Sequence, residues 1–198
     1  RDHCVTGVQT CALPISESEQ GWRIARLRYF NPVGAHPSGQ IGEDPKGKPT
    51  NLFPLIAQVA LGQRSNLPVY GNDWPTADGS GVRDFIHVMD LAEGHCCALD
   101  HLLHSNHDTL LTLNLGTGKG ISVLEMVQAF AAVSGKPIPH AIQPRREGDT
   151  STSVANPLLA KQELGWSARR SLADMCRDGW RWQTANPLGY TTDAGSRA

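Results

Sequence analysis

The sequence predicts an α/β or α+β fold. Short apolar runs alternate with segments of helical period, and most of those segments open and close on recognisable caps. No run of about 18 apolar residues is present, so no transmembrane helix is expected. The chain has 198 residues, the length of one domain or parts of two. No internal repeat or Pro- or Gly-rich linker divides it.

The first strand is predicted over Arg23–Tyr29 (RIARLRY), ended by Asn31-Pro32. Residues 33–50 are rich in Gly, Pro and Ser without a period and read as a long loop, a type that often carries function. Asn51 then caps a helix with Pro54 in its first turn, an apolar stripe of Leu52, Leu55, Ile56 and Val59, and Gly62 at its end. Leu67–Tyr70 is a short strand, residues 71–81 a turn-rich loop, and Phe85–Val88 another extended run. Asp90 is placed as the cap of a helix to Leu103, with Leu91, His95, Ala98, Leu99 and Leu102 facing inward. Leu110–Leu115 is a third strand, followed by the turn Gly116–Gly120. Ser122 and Glu125 form a capping box for a helix to Ser134, stopped by Gly135 and Pro137. Asn156-Pro157 opens a short helix that Gly165 ends, and Ser171 with Asp174 opens the last helix, to about Thr184.

The ends are set apart. Val5–Ser16 (VTGVQTCALPIS) reads as the translation of a short-read sequencing adapter, so residues 1–16 are taken as non-native. Residues 17–190 form the folded region, entered mid-domain near Glu17, and 191–198 a polar, disordered tail. Five cysteines (Cys4, Cys11, Cys96, Cys97, Cys176) in a chain this long point to reduced thiols in the cytoplasm. A formal net charge of −1, from 18 basic and 19 acidic residues, excludes a general nucleic-acid or membrane-surface binder.

Several residue patterns bear on chemistry. Gly116-x-Gly118-x-Gly120 follows a strand and precedes a helix, but Ile121 stands where a dinucleotide fingerprint needs glycine, so a plain strand-to-helix turn is favoured. Arg83-Asp84, Arg145-Arg146-Glu147-Gly148-Asp149 and Asn51-Leu52 are more informative. Guanidinium groups bind phosphates bidentately, a helix start offers free N–H groups, and a carboxylate accepts from a ribose hydroxyl. Together they suit a nucleoside diphosphate; singly they also read as a surface ion pair, a solvated run and a cap. Cys97, His101 and His104 share one helical face, but no fourth ligand or CxxC pattern accompanies them, and no metal is expected. No G-x-S-x-G elbow is present.

Four segments carry a resemblance: LRYFNPVGAHPSGQIGEDPKGKPTNLFPLIAQVALG (Leu27–Gly62), VYGNDWPTADGSGVRDFIHVMDLAEGH (Val69–His95), LNLGTGKGISVLEM (Leu113–Met126) and PRREGD (Pro144–Asp149). In this order they resemble the carboxy-terminal part of UDP-glucose 4-epimerases, which are extended short-chain dehydrogenases/reductases. The likeness covers about residues 19–190. It implies an α/β fold in which strands near 23–29 and 110–115 are the edge of a parallel Rossmann sheet, interleaved with a small α/β UDP-sugar-binding domain. It implies NAD as cofactor, hydride removal from and return to C4 of the hexose through a 4-keto intermediate, UDP-glucose and UDP-galactose as ligands, and a homodimer.

By the same resemblance Asn31 contacts the sugar and phosphate, Asn51 and Leu52 meet the UDP, and Val69 and Tyr70 lie along the uracil. Arg83 and Arg146 grip the diphosphate, Asp149 takes a ribose hydroxyl, and Tyr29 and Phe30 lie beside the nicotinamide. The family's Gly-rich loop and Tyr-x-x-x-Lys pair are not found: Tyr29, Tyr70 and Tyr190 are followed four residues later by Val33, Trp74 and Ala194. No catalytic residue is therefore assigned, and the chain is expected to be inactive by itself. Ser153 stands where some members carry a bulky tyrosine, which would leave room for the N-acetyl group of UDP-GlcNAc or UDP-GalNAc. A nucleotide-sugar dehydratase or decarboxylase and a non-catalytic UDP-sugar-binding module are the alternative readings. Apolar strand edges and faces left without neighbours carry an aggregation risk.

Overall fold

A computed structural model describes residues 21–190 except 46, 48, 107 and 108. The adapter-like segment and the polar tail lie outside the described residues.

The fold is α/β. Strand β1 (Arg23–Tyr29) pairs in parallel with β6 (Thr109–Leu115), from Arg23↔Thr109 to Tyr29↔Leu115, as the edge of a parallel sheet requires. Helix α2 (Val88–His104) precedes β6 and packs on β1. The Arg23 guanidinium donates to the carbonyls of Leu102, Leu103 and Ser105 at 3.0, 3.3 and 2.9 Å, satisfying the open end of α2. Ile86, Leu91, Leu113, Leu115, Ala160 and Trp166 form the core beneath this sheet, closed by α4 (Leu158–Leu164).

A second core is built from α1 (Leu52–Ala60), α3 (Val123–Ser134), α5 (Leu172–Ala185) and β3 (Leu67–Tyr70). Phe53 meets Phe130 edge-on at 5.4 Å, and Phe130 meets Trp180 at 5.8 Å. The Ser122/Glu125 and Ser171/Asp174 capping boxes form with both reciprocal bonds, and Gly135 and Gly165 end α3 and α4 in the left-handed conformation. Cys176 lies fully buried here, and desolvation pushes its thiol up to about 12, which leaves it unreactive.

Three expectations are corrected. Asn31-Pro32 does not end the extended run: Asn31–Val33 is strand β2, separated from β1 by Phe30 alone and paired in parallel with β5 (Phe85–His87). Proline is tolerated because this pair is only two strands wide. The cap of α2 is His87, not Asp90: its Nδ1 accepts from the Met89 N–H at 3.0 Å. Asp90 lies buried one turn later, accepting from the Arg169 and Arg170 N–H groups at 3.2 and 3.0 Å and from the Arg170 guanidinium at 2.5 Å. The inward face of α2 is therefore Asp90, Leu91, Gly94 and Ala98, while His95 faces solvent and Leu99 and Leu103 are 58% and 64% exposed.

His87 also joins the two halves of the fold, its Nε2 standing 3.3 Å from Asp178 on α5, both side chains buried. With Nδ1 accepting, the network places the proton on Nε2, facing the carboxylate. Burial holds the imidazole below its ordinary 6.5, against the opposing pull of Asp178. The folded state then binds fewer protons than the unfolded one, so stability should fall as pH drops from 6.5 toward the folded value. Urea midpoints between pH 7.5 and 5.5 check this: His87→Gln should flatten the slope in that window, and an unchanged slope would refute the assignment.

Candidate functional site

The Gly116–Gly120 loop has the amide geometry of an anion cradle, but a carboxylate of the chain already fills it. Asp84 is buried and accepts from Thr117 N (2.9 Å), Thr117 Oγ1 (2.6 Å), Gly118 N (2.9 Å) and Ala155 N (3.2 Å). A Cβ at Gly116 would lie 2.4 Å from Ala155 Cβ and 2.7 Å from Asp84 Oδ2, so glycine there serves close packing. Nor do Cys97, His101 and His104 converge. His101 Nδ1 lies 3.1 Å from the Glu163 carbonyl, His104 is near Asp100, and no group of three or more metal-ligating side chains occurs among the described residues.

Asp84 has a second consequence. It separates β4 (Val82–Arg83) from β5, and β4 runs between β7 (Ile121–Ser122) and β9 (Thr152–Ser153) in a three-stranded sheet. The register sets Arg83 opposite Ser153, while Phe85, two residues on, lies opposite Asn31. The Asn31 N–H donates to the Asp84 carbonyl at 3.0 Å. Strand pairing thus sets Arg83 beside Ser153 and, two residues on, Phe85 beside Asn31.

Arg83 is aimed by its neighbours. Nη1 donates to the Val82 and Thr150 carbonyls, both at 2.9 Å, and Nη2 lies 3.5 Å from Asp149 Oδ1. The Asp149 N–H returns to the Arg146 carbonyl at 3.3 Å, closing a turn through Gly148 at φ +82°. Pairing of β3 with β8 (His140–Gln143) sets Tyr70 opposite Gln143 and so delivers the arginine pair to two aromatic rings. Arg146 lies 3.7 Å over the Tyr70 ring, and Arg145 lies 3.9 Å over Trp74 while bonding the Asp73 carboxylate at 2.8 Å. The arginines are stacked cations, not a freely solvated run, each contact worth about 0.5–1 kcal/mol at an exposed site. Val69 points the other way, into the core, so only its backbone faces the same side as this cluster.

Asn31, Asn51, Leu52 and Phe30 line a cavity of about 730 Å³, together with Ile41 and Glu43. Asn51 occupies the cap position of α1 yet makes no cap bond, and it lines the cavity with Glu43. Glu43 is exposed as a residue, but local burial pushes its carboxyl up, and the Asn51 side chain opposes that shift. Tyr29 and Phe30 part company: Phe30 faces the cavity, whereas Tyr29 is 56% exposed with its ring 6.1 Å from His95 on α2. Sequence reasoning missed Glu43 and Asp84 as functional supports. Glu43 lay within the quoted GEDP motif, and Asp84 beside Arg83 in VRDF.

The family described as "NAD dependent epimerase/dehydratase family" matches residues 9–116, a span that begins inside the segment set apart at the amino terminus. The UDP-glucose 4-epimerase of Bacillus subtilis (strain 168) is 58% identical over 173 residues, 87% of this chain and 50% of that protein. A crystal structure of the UDP-glucose 4-epimerase of Stenotrophomonas maltophila with bound NAD and formylated UDP-arabinopyranose superposes with a TM-score of 0.88 at 52% identity, covering 91% of this chain and 53% of that one. The Bifidobacterium longum enzyme, in complex with NAD+ and UDP, gives 0.87 at 47% identity over 92% and 53%. The chain spans about half the length of the curated relatives it matches. With that family matched over more than half of its residues, the chain belongs to the NAD dependent epimerase/dehydratase family.

Proposed function

We propose that this chain is the UDP-sugar-binding portion of an NAD-dependent UDP-glucose 4-epimerase. The observation that carries the reading is the cluster of Arg83, Asp149, Arg146 and Tyr70, held by the Arg83–Asp149 contact, the Arg146–Asp149 turn and the Arg146–Tyr70 stack, with Asp84 next to Arg83 bonding the backbone of Asn31, which lines the cavity. Close relatives named UDP-glucose 4-epimerase support it.

In this reading Arg83 and Arg146 neutralise the diphosphate, Asp149 accepts from the ribose, and Tyr70 borders the uracil. Asn31 holds the sugar end within the cavity, and Asn51 and Leu52 meet the UDP at the start of α1. NAD, when bound, supplies the hydride acceptor for C4. In this reading Tyr29 and Phe30 border its nicotinamide, Phe30 from the cavity wall, and the Gly116–Gly120 loop, filled by Asp84, is not where its phosphates go. The chain's own work is to bind and orient. We place the whole protein in the cytoplasm as a homodimer, with which the free thiols Cys96, Cys97 and Cys176 accord.

Calorimetry with UDP tests the binding half of the reading, and a fusion of residues 17–190 behind the amino-terminal half of the Bacillus subtilis relative tests the chemistry. UDP should bind the chain, the chain should not turn over UDP-galactose, and the fusion should. A folded chain that ignores UDP would remove the proposal; a 4-keto-6-deoxy product from the fusion would replace it with a dehydratase.

Ser153 deepens the substrate reading. It is half-buried on β9 opposite Arg83, and its small side chain leaves room for an N-acetyl group, so UDP-GlcNAc and UDP-GalNAc are proposed as further substrates. In the fusion, Ser153→Tyr should lower kcat/KM for UDP-GlcNAc by roughly 10- to 100-fold, the cost of forcing bulk into an occupied site, and leave UDP-glucose within about threefold. Equal losses on both sugars would count against it.

A further inference from the structure

Residues 34–50 carry no strand or helix among those described, yet they wall the substrate cavity. What holds them is the end of α5 and the residues after it. The Arg181 guanidinium donates to the Pro37 carbonyl, and Asn186 Nδ2 donates to the Gly39 carbonyl at 3.3 Å. Trp182 Nε1 donates to the Glu43 carbonyl at 3.1 Å. The Tyr190 hydroxyl accepts from Gly42 N at 3.0 Å and donates to Gly42 O at 3.2 Å, and its backbone N–H reaches Asp44 Oδ2 at 3.2 Å. The two rings lie 4.6 Å apart, with Trp182 only 3% exposed. The loop presses so closely on the indole that a Cβ at Gly42 would fall 2.2 Å from it.

Behind this wall is a second cavity, of about 330 Å³, that shares Gly34, Glu43, Phe53 and Pro54 with the first. A thin segment with space on both sides is not fixed by packing alone, so its position rests on these directional bonds. Glu43 lines both cavities, and its carbonyl is held by Trp182.

We propose that Trp182 and Tyr190 are positioning residues that hold the Gly42–Asp44 turn and so fix the wall that the cavity presents, across from Asn31, to the sugar end of the substrate. They touch no substrate themselves. The inference rests on the UDP-sugar reading above, and it predicts an effect confined to the sugar, since the diphosphate cluster of Arg83, Arg146 and Asp149 lies on other elements.

The test compares UDP with UDP-glucose on the 198-residue chain by calorimetry, with hydrogen exchange at the Gly42 amide as the local reporter. Tyr190→Phe keeps the ring and removes the hydroxyl; Trp182→Phe keeps an aromatic core residue and removes the Nε1 donor. Each should speed Gly42 exchange and weaken UDP-glucose by about fivefold, the scale of one or two lost hydrogen bonds, with UDP unchanged. An unchanged ratio of the two affinities overturns the inference, as does an equal loss on both ligands, which would mean general loosening. Absence of UDP binding by the unsubstituted chain overturns the underlying reading and the inference with it.

Discussion

Arg83→Ala is expected to weaken UDP binding by roughly 10- to 150-fold, the range for losing hydrogen bonds to a charged group. Arg83 is the guanidinium held by two carbonyls and set by register between β7 and β9. Its one acidic partner among the described residues, Asp149, stands at 3.5 Å, a loose contact that a diphosphate can replace at little cost. Arg83→Lys should recover only part of the affinity, because a point charge cannot reproduce the bidentate fork. Calorimetry at two salt concentrations provides the check: the alanine variant should also show the weaker salt dependence, and a loss below about threefold would remove Arg83 from the site.

Asp84→Ala should have the largest effect on stability, about 3–5 kcal/mol, the scale for removing one partner from a buried charged network. It leaves Thr117 N, Gly118 N, Ala155 N and a hydroxyl without their acceptor, the Ala155 bond buried and the other three part-buried. Asp84→Asn keeps the volume but turns an amide against N–H donors, so it should lie between wild type and alanine. Urea unfolding reads both, and a loss under about 1 kcal/mol for alanine would mean that water or a neighbour satisfies these groups. UDP binding should fall with stability, because the same carboxylate ties the loop after β6 to the segment after β9.

These residues differ in how far the sequence announces them. The helices opening on Ser122 and Ser171 were legible because a cap is a local contract between residues three apart. Strands β4, β7 and β9 were not, since each is two residues long and exists only through its partners. Asp90 carried the signature of a cap but was drawn into the core by Arg170, eighty residues away, and His87 took the position. The Gly116–Gly120 motif announced an anion cradle truthfully; the occupant is Asp84, which no spacing rule relates to it. Arg83, Arg146 and Asp149 stood out as charged clusters, and the family resemblance gave them roles. The support from Trp182 and Tyr190 reaches back about 140 residues to a loop without periodicity, where local reasoning has nothing to grip.

The outward side of α2 bears on how this chain leaves solution. Leu99 and Leu103 are exposed on a well-formed helix. Excluded salts such as sulfate strengthen the drive to bury apolar surface, so these leucines favour salting out. Leu103→Gln should move the precipitation point of the chain to higher ammonium sulfate, and it leaves the residues proposed to face UDP untouched.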